Sequence, residues 1–363
     1  MTRVVGIDPG TGSWDLVGLE DGALILDVSI PTRRVLKNPR IIVDILKSLK
    51  EVDMVVAPSG FGLPLKKVSE ISDADIFLMT LKREGKEEIV GLTSVIKLLI
   101  EEEIPAYVIP GVKHLPTVPI HRKVNKIDMG TADKVCVAAL AIVDQSENLQ
   151  IPIEETRFIL IESGTGFNAV LAIDDGRIID GIGGAEGHIG LRACGALDAE
   201  LAYLMGSLLK TTIYKGGAVY IAGCENATPE ELFKLAEYDE RVRIAIKALT
   251  EGLIKDVFSL LAVLQDPREI LVSGRLARIS TFLGILREYL VKIAPVRTIK
   301  GFARVAKEAA QGAAIIADGL SGGIYKKLVD VMKIKEAAGT VLDHIFFDEI
   351  ESLRSKFTSG ARM

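Results

Sequence analysis

The sequence predicts an α/β protein of two similar halves, each built on a mixed sheet of about five strands, with a ligand cleft between them. Three observations predict it. A glycine-rich motif occurs twice at an offset of 154 residues, each copy opens an antiparallel three-strand meander, and each meander leads into alternating helices and strands. Residues 7–22, IDPGTGSWDLVGLEDG, align without a gap on residues 161–176, IESGTGFNAVLAIDDG. Ile7/Ile161, Gly10/Gly164, Thr11/Thr165, Gly12/Gly166, Asp21/Asp175 and Gly22/Gly176 are identical, and Asp8/Glu162 keeps a carboxylate.

Each unit reads as an apolar strand, a Gly-Thr-Gly turn, a second apolar strand, an acidic-Gly turn and a third strand, at 24–30 and 177–183. An Asp-Gly pair between alternating apolar runs is a strong hairpin signal. In the first half a helical pattern at about 38–49 then leads to a strand at 53–57, a helix at 91–103 and a strand at 106–109. Segment 58–90, beginning Pro58-Ser59-Gly60-Phe61-Gly62, reads as a lid over an acceptor site or as an insertion. In the second half a helix at 197–210 is followed by a strand at 218–222, helices over 229–264, a strand at 269–273, a helix at 278–292 and a strand at 295–299. The expected division is 1–150, 151–338, and a C-terminal helix and tail over 339–363. That helix, at about 340–356, could serve a homodimer.

Composition narrows the function classes. The chain has 363 residues, 48% hydrophobic and 26% charged, the balance of a soluble globular protein. Lys+Arg 44 against Asp+Glu 49 gives a net charge of −5, so nucleic acid is not expected as a principal partner. Cys136, Cys194 and Cys224 lie far apart without a CxxC pair, which fits a reducing cytoplasm and no local zinc or iron–sulfur motif. No signal segment and no apolar run of about 20 residues is evident, so no membrane partner is expected.

A glycine turn between strands exposes backbone N–H groups to anionic oxygens, with no Cβ in the way. Asp8 closes the first strand beside such a turn. A carboxylate there repels bare phosphate, so its natural task is to hold Mg²⁺ through water while Gly10, Thr11, Gly12 and Ser13 hold oxygens. Glu162, Gly164, Thr165 and Gly166 would face them across the cleft, with a triphosphate between.

These motifs resemble the ASKHA superfamily of acetate and sugar kinases, actin and heat-shock chaperone ATPases. The resemblance implies duplicated ribonuclease H-like (actin-like ATPase) domains clamping Mg·ATP, with Asp8 and Glu162 toward the metal. Glu269-Ile270-Leu271-Val272-Ser273-Gly274 resembles the superfamily's adenosine motif, with Arg275 where a second glycine is usual. Ser273 and Gly274 would then touch the nucleotide. Ala309-Ala310-Gln311-Gly312-Ala313-Ala314 resembles its A-x-G-A-A helix, whose small residues permit close packing. More narrowly, the chain is similar to archaeal proteins predicted on motif grounds to be butyrate kinases.

Two constellations compete for the small-molecule acceptor. Asp133-Lys134 resembles the G-x-D-R segment of type III pantothenate kinases, where the Asp is the proposed base; otherwise Thr131 caps a helix and Asp133 complements its dipole. Arg192, Gly195 and Asp198 loosely resemble the T-R-S-G-D-L-D segment of acetate and butyrate kinases. His188 is either a loop hydrogen bond or a donor to a phosphoryl oxygen, and Glu186 a surface residue or a magnesium ligand. A carboxylate acceptor needs cations and no base, so Arg192 and His188 argue for acyl transfer. An alcohol needs a base, so Asp133 argues for a hydroxyl acceptor. A regulatory ATPase is the reading from another class. His114, His121, Arg122, Lys123 and Lys126 read as a basic loop facing water or as one that helps hold an anionic substrate.

Overall fold

The computed structural model describes residues 2–57, 60–82 and 91–358. Pro58, Ser59 and residues 83–90 of the expected lid lie outside the described residues.

In the first half β1 (Arg3–Pro9), β2 (Ser13–Glu20) and β3 (Ala23–Pro31) form the expected meander, with Asp8 opposite Asp15. Helices α1 (Thr32–Lys37) and α2 (Arg40–Ser48) lead to β4 (Met54–Val56), which lies parallel to β1. Next come β5 (Gly62–Lys67), α3 (Asp73–Thr80), α4 (Leu92–Glu101) and β6 (Ala106–Pro110). The strand order is β3-β2-β1-β4-β6-β5, so this sheet has six strands and not five. The sixth, β5, comes from the segment read as lid or insertion; it runs antiparallel along β6 with a register shift between Gly62 and Lys66. An edge strand tolerates Pro64, whose missing N–H leaves no ladder bond unmade.

A short helix, α5 (Ile120–Lys123), and the long α6 (Ala132–Leu149) close this half. The second half repeats the meander as β7 (Phe158–Ser163), β8 (Asn168–Asp174) and β9 (Arg177–Ile182). Both hairpins turn on an Asp-Gly pair at positive φ, 48° and 83° at Asp21-Gly22, 51° and 69° at Asp175-Gly176. Those are the torsions that make Asp-Gly favourable there. Helices α7 (Ala199–Met205), α8 (Ala218–Ala222), α9 (Pro229–Leu235) and α10 (Glu240–Leu261) follow, then β10 (Glu269–Ser273), α11 (Ser280–Leu290) and β11 (Val296–Thr298). Residues 218–222 are thus a helix and not the expected strand. The second sheet has the expected five strands, ordered β11-β10-β7-β8-β9.

The chain ends with α12 (Glu308–Leu320), α13 (Lys326–Val331) and α14 (Asp348–Thr358). Helices α6 and α12 pack on each other in one buried core that includes residues of both sheets. Small residues permit this. A Cβ on Gly312 would lie 1.8 Å from the Cys136 carbonyl oxygen, and one on Gly6 would lie 2.1 Å from the Ala314 nitrogen. The small-residue helix therefore packs as its sequence implies, against α6 and β1. Beyond α13 the chain returns to the first half. Val341, Leu342 and Ile345 are buried in its outer core, and Ile350 and Leu353 of α14 pack against that core. The helix expected to serve a dimer thus directs these apolar residues at its own chain.

The loop expected to face water is instead anchored. Lys113 Nζ donates to the Val341 carbonyl at 2.6 Å, Lys123 Nζ to the Leu115 carbonyl at 2.8 Å, and Arg122 to the Ile179 carbonyl at 2.7 Å. Lys126 pairs with Glu186.

Candidate active site at the two glycine turns

Each turn is shaped by its own backbone. Gly10 N–H donates to the Asp8 and Ser13 carbonyls, and Gly164 N–H donates to the Phe167 carbonyl at the equivalent place. Thr32 fixes the first turn from outside: its hydroxyl donates to the Gly10 carbonyl at 2.6 Å and its N–H to the Gly12 carbonyl at 3.1 Å. The second glycine of each turn has no packing reason to be glycine. A Cβ on Gly12 or on Gly166 would meet nothing within 4 Å, and neither residue has positive φ. Open space at both equivalent positions is what backbone approach by phosphate oxygens requires. Trp14 is buried beside the first turn.

Between the turns lies a cluster of charges. Lys134, in the first turn of α6, pairs with Asp133 Oδ2 at 2.5 Å and reaches across to Glu162 Oε2, at the end of β7, at 2.8 Å. Thr131 is the N-cap residue by position, yet its side chain makes no capping bond; its hydroxyl donates to Asp133 Oδ1 instead. Burial pushes the Asp133 carboxyl up, but Lys134 and the Thr131 hydroxyl outweigh it and hold the group below the usual carboxylate range. Glu162 is held above its usual value, because burial and the Asp133 charge exceed the help from Lys134. Lys134 itself loses charge stability by burial and regains more from its two carboxylates, so its ammonium is firmly protonated.

Asp8 is 8% exposed and pushed up to about 7, chiefly by burial, with the charges of Asp133 and Asp15 adding and Lys307 and Lys134 opposing. Lys307 was not singled out in the sequence. It occupies the N-cap position of α12 without a side-chain capping bond and sets its ammonium 3.0 Å from fully buried Asp15, 2.9 Å from where a Gly10 Cβ would stand. One Asp15 oxygen, Oδ1, is buried without a hydrogen-bond partner. A lone lysine before an alanine-rich helix gives no sequence signal for this.

Ser273 and Gly274 join the same centre. Ser273 lies in register with Glu162 on the neighbouring strand, and a Cβ on Gly274 (φ 91°) would stand 2.7 Å from Glu162 Oε1. The Ser273 hydroxyl is buried and unpartnered. Arg275, in place of the second glycine, pairs with Glu230 of α9.

The other acceptor constellation is engaged elsewhere. Arg192 and Ala193 N–H groups both donate to the Gly166 carbonyl at 3.1 Å, which puts this loop against the second turn. The Arg192 guanidinium, however, donates to the Glu225 carbonyl at 2.8 Å. His188 Nδ1 lies 2.7 Å from Asp256 of α10, its N–H donates to the same carboxylate, and its Cβ fills the space above Gly252. The Nδ1 side of the ring is thus engaged with α10, while the side chain stays 47% exposed. Gly195 (φ 68°) packs on the carbonyls of Gly187 and His188, and Asp198 caps α7. Glu186 is pushed up to about 7 by burial, against its ion pair with Lys126.

The open space at the two glycines would admit phosphate oxygens, and Asp8 offers an oxygen ligand of the kind Mg²⁺ takes. Among the described residues no three His, Cys, Asp or Glu side chains form a group that could hold a metal ion. Glu162, the other expected metal ligand, carries Lys134 on one oxygen. Among the described residues no helix is long and apolar enough to cross a membrane.

Comparison with known proteins agrees with the architecture. The chain superposes on a propionate kinase from Francisella tularensis with a TM-score of 0.64 at 12% identity, covering 86% of this chain and 99% of that one. An acetate kinase from Porphyromonas gingivalis gives 0.60 at 14% identity, over 86% and 98%. At such identities the shared property is the actin-like ATPase fold. A UPF0285 protein from Methanococcus vannielii is 27% identical over 282 residues, 75% of this chain and 82% of the relative. The family described as "Protein of unknown function (DUF1464)" matches residues 6–347, and the chain belongs to that family.

Proposed function

We propose that the protein is an ATP-dependent phosphotransferase that passes the γ-phosphoryl group of Mg·ATP to a small carboxylate. The observation that carries phosphoryl transfer is the pair of unfilled glycines, Gly12 and Gly166, on either side of the Asp8, Asp133, Lys134 and Glu162 cluster. The turns would hold the phosphates, Asp8 and bound water the Mg²⁺, and Ser273 and Gly274 the adenosine side. Bound Mg²⁺ would offset charge on the β- and γ-phosphates. Lys134, firmly protonated, would meet charge on the transferring group, as would Lys307 at the first turn.

The state of Asp133 argues against a hydroxyl acceptor that would use Asp133 as its base. A general base works best with a pKa near the working pH. Asp133 has both oxygens occupied, by the Thr131 hydroxyl and by Lys134, and is held below the carboxylate range. It is a poor proton acceptor. A carboxylate acceptor needs none: its oxygen bonds to the γ-phosphorus, the bond to the β–γ bridging oxygen breaks, and ADP leaves with no proton transferred.

The test is Mg²⁺-dependent ADP release across acetate, butyrate, branched acids, sugars and pantothenate, with hydroxylamine present to trap acyl phosphate. The reading expects hydroxamate with acids and no alcohol-dependent signal. Release only with alcohols, lost about 10²-fold or more in Asp133→Asn, would make Asp133 a base and the acceptor a hydroxyl. ADP release independent of any acceptor would point to a regulatory ATPase.

A further inference from the structure

Beside the charge cluster, aromatic and charged side chains of the two halves come into contact. Phe61 lies just before β5, and the Gly60 carbonyl next to it accepts the N–H of Ala132, the residue preceding Asp133. Phe61 therefore adjoins the start of α6. Phe167 directly follows the second glycine turn and packs on Gly184, with a Cβ on that glycine 2.5 Å from its ring. Tyr214 meets the Phe167 ring edge-on at 5.2 Å. Lys210, four residues before Tyr214, sets its ammonium 5.2 Å from the centre of the Phe61 ring, so a cation of the second half rests on an aromatic ring of the first. Asp128 lies beneath. Its oxygens accept the N–H groups of Gly130 and Ala185, and its charge reaches both Lys210 and Tyr214.

The lysine is the informative member. Burial depresses its pKa, and Asp128 is the one charge that opposes this. Among the described residues it has no ion pair. A lysine that is partly stripped of water and held over a ring by about 0.5–2 kcal/mol is poised to take an anion. Two of the other members, Phe61 and Phe167, are wholly apolar and offer a sugar's hydroxyls no partner. Asp128 accepts one backbone N–H on each oxygen, from Gly130 and from Ala185.

We propose that Phe61, Phe167, Lys210 and Tyr214 form the acceptor subsite, and that its occupant is a monocarboxylate with a compact apolar body. Lys210 receives the carboxylate and Phe61 and Phe167 cover the apolar part, next to the turn that would hold the γ-phosphate. This rests on the phosphotransferase reading for its role in catalysis, but the binding site stands without it.

The test measures binding of butyrate, isovalerate and benzoate to the full chain by ligand-observed NMR without nucleotide, and of Mg·ATP by calorimetry. Butyramide, which has the shape but no charge, is the control. Lys210→Met should weaken the acids about tenfold or more and leave Mg·ATP within about twofold, while Lys210→Arg restores most of the loss. Phe61→Ala should weaken benzoate and isovalerate more than butyrate. Equal binding of butyramide and butyrate, acid binding unchanged in Lys210→Met, or no acid bound at about 20 mM would each overturn the subsite. Acid binding that depends on Lys210 in a chain that fails to bind Mg·ATP would support the subsite and overturn the phosphotransferase reading.

Discussion

Replacing Lys134 by Met tests the central electrostatic claim. The variant keeps the apolar stem and removes an ammonium that stands 2.5 Å from Asp133 and 2.8 Å from Glu162, side chains only 29% and 14% exposed. Breaking a buried pair by removing one partner typically costs about 3–5 kcal/mol, because the other charge stays buried and uncompensated. Here two carboxylates lose the same cation, so the upper part of that range is expected at pH 7. The loss must depend on pH in a particular direction. Without Lys134, burial raises both carboxyls above their unfolded values. The native state then holds protons that the unfolded chain has released, and stability falls as pH rises above about 4. The deficit relative to wild type should therefore shrink by about 1–2 kcal/mol between pH 7 and pH 5. Urea unfolding at both pH values measures it. Lys134→Met/Glu162→Gln should recover about 1 kcal/mol or more of the single variant's loss, and only part of it, since Asp133 remains unpaired. A loss under about 0.5 kcal/mol at pH 7, or one equal at both pH values, would refute the buried three-residue bridge.

Glycine substitutions should separate packing from ligand approach. Gly312→Ala drives a Cβ into the Cys136 carbonyl and should cost about 3 kcal/mol or more, since both partners are backbone. Gly12→Ala and Gly166→Ala meet nothing within 4 Å and should shift unfolding by under about 0.5 kcal/mol while weakening Mg·ATP about tenfold or more, read by calorimetry. Asp8→Asn should stabilise the nucleotide-free protein by roughly 1–3 kcal/mol at pH 8. Asp8 is held near 7 against an ordinary 3.8, so wild type loses stability as pH rises from about 4 to 7 and the variant does not. The gain should vanish by pH 4, and Mg·ATP binding should fall at pH 8, with the loss shrinking toward pH 5 where the wild-type carboxyl is itself protonated.

What the sequence made legible was local. Both meanders, both Asp-Gly hairpins and both turns follow from a repeated sixteen-residue string, because strand alternation and turn torsions are decided by neighbours. The A-x-G-A-A helix was readable for the same reason, as a run of small residues. Two elements were misread where local signals are ambiguous. Ala218–Ala222 is five apolar residues between glycines, and periodicity cannot distinguish a short buried strand from a helical turn. Gly62–Lys67 carries a proline and two lysines and reads as loop; only its neighbour β6 makes it an edge strand. The site divides along the same line. The carboxylates Asp8 and Glu162 sit on the repeat, but Lys307 is far along the chain from Asp15, and Lys134 lies on the helix between the repeats. Lys210 reaches Phe61 from the other half. Pairings of that kind depend on how the halves pack, and no short window of sequence contains them.

The resulting charge balance makes a demand on the nucleotide. Asp8, Asp15, Asp133 and Glu162 face two ammonium groups, Lys134 and Lys307, so the centre is acidic before any phosphate arrives. A free triphosphate would add several negative charges to it. Free ATP in EDTA should thus bind about tenfold or more weaker than Mg·ATP, the equivalent of about 1.4 kcal/mol or more. Asp8 sets the sign of the pH dependence. Its carboxyl titrates at about 7, so lowering the pH from 8 to 6 neutralises one repelling charge and should tighten free ATP. The same proton removes the oxygen offered to Mg²⁺ and should weaken Mg·ATP. Calorimetry with and without Mg²⁺ at both pH values therefore gives two trends of opposite sign, and Asp8→Asn should flatten both. Parallel trends, or equal affinity with and without the metal, would mean that Asp8 does not face the phosphates and that the cluster between the turns serves the fold alone.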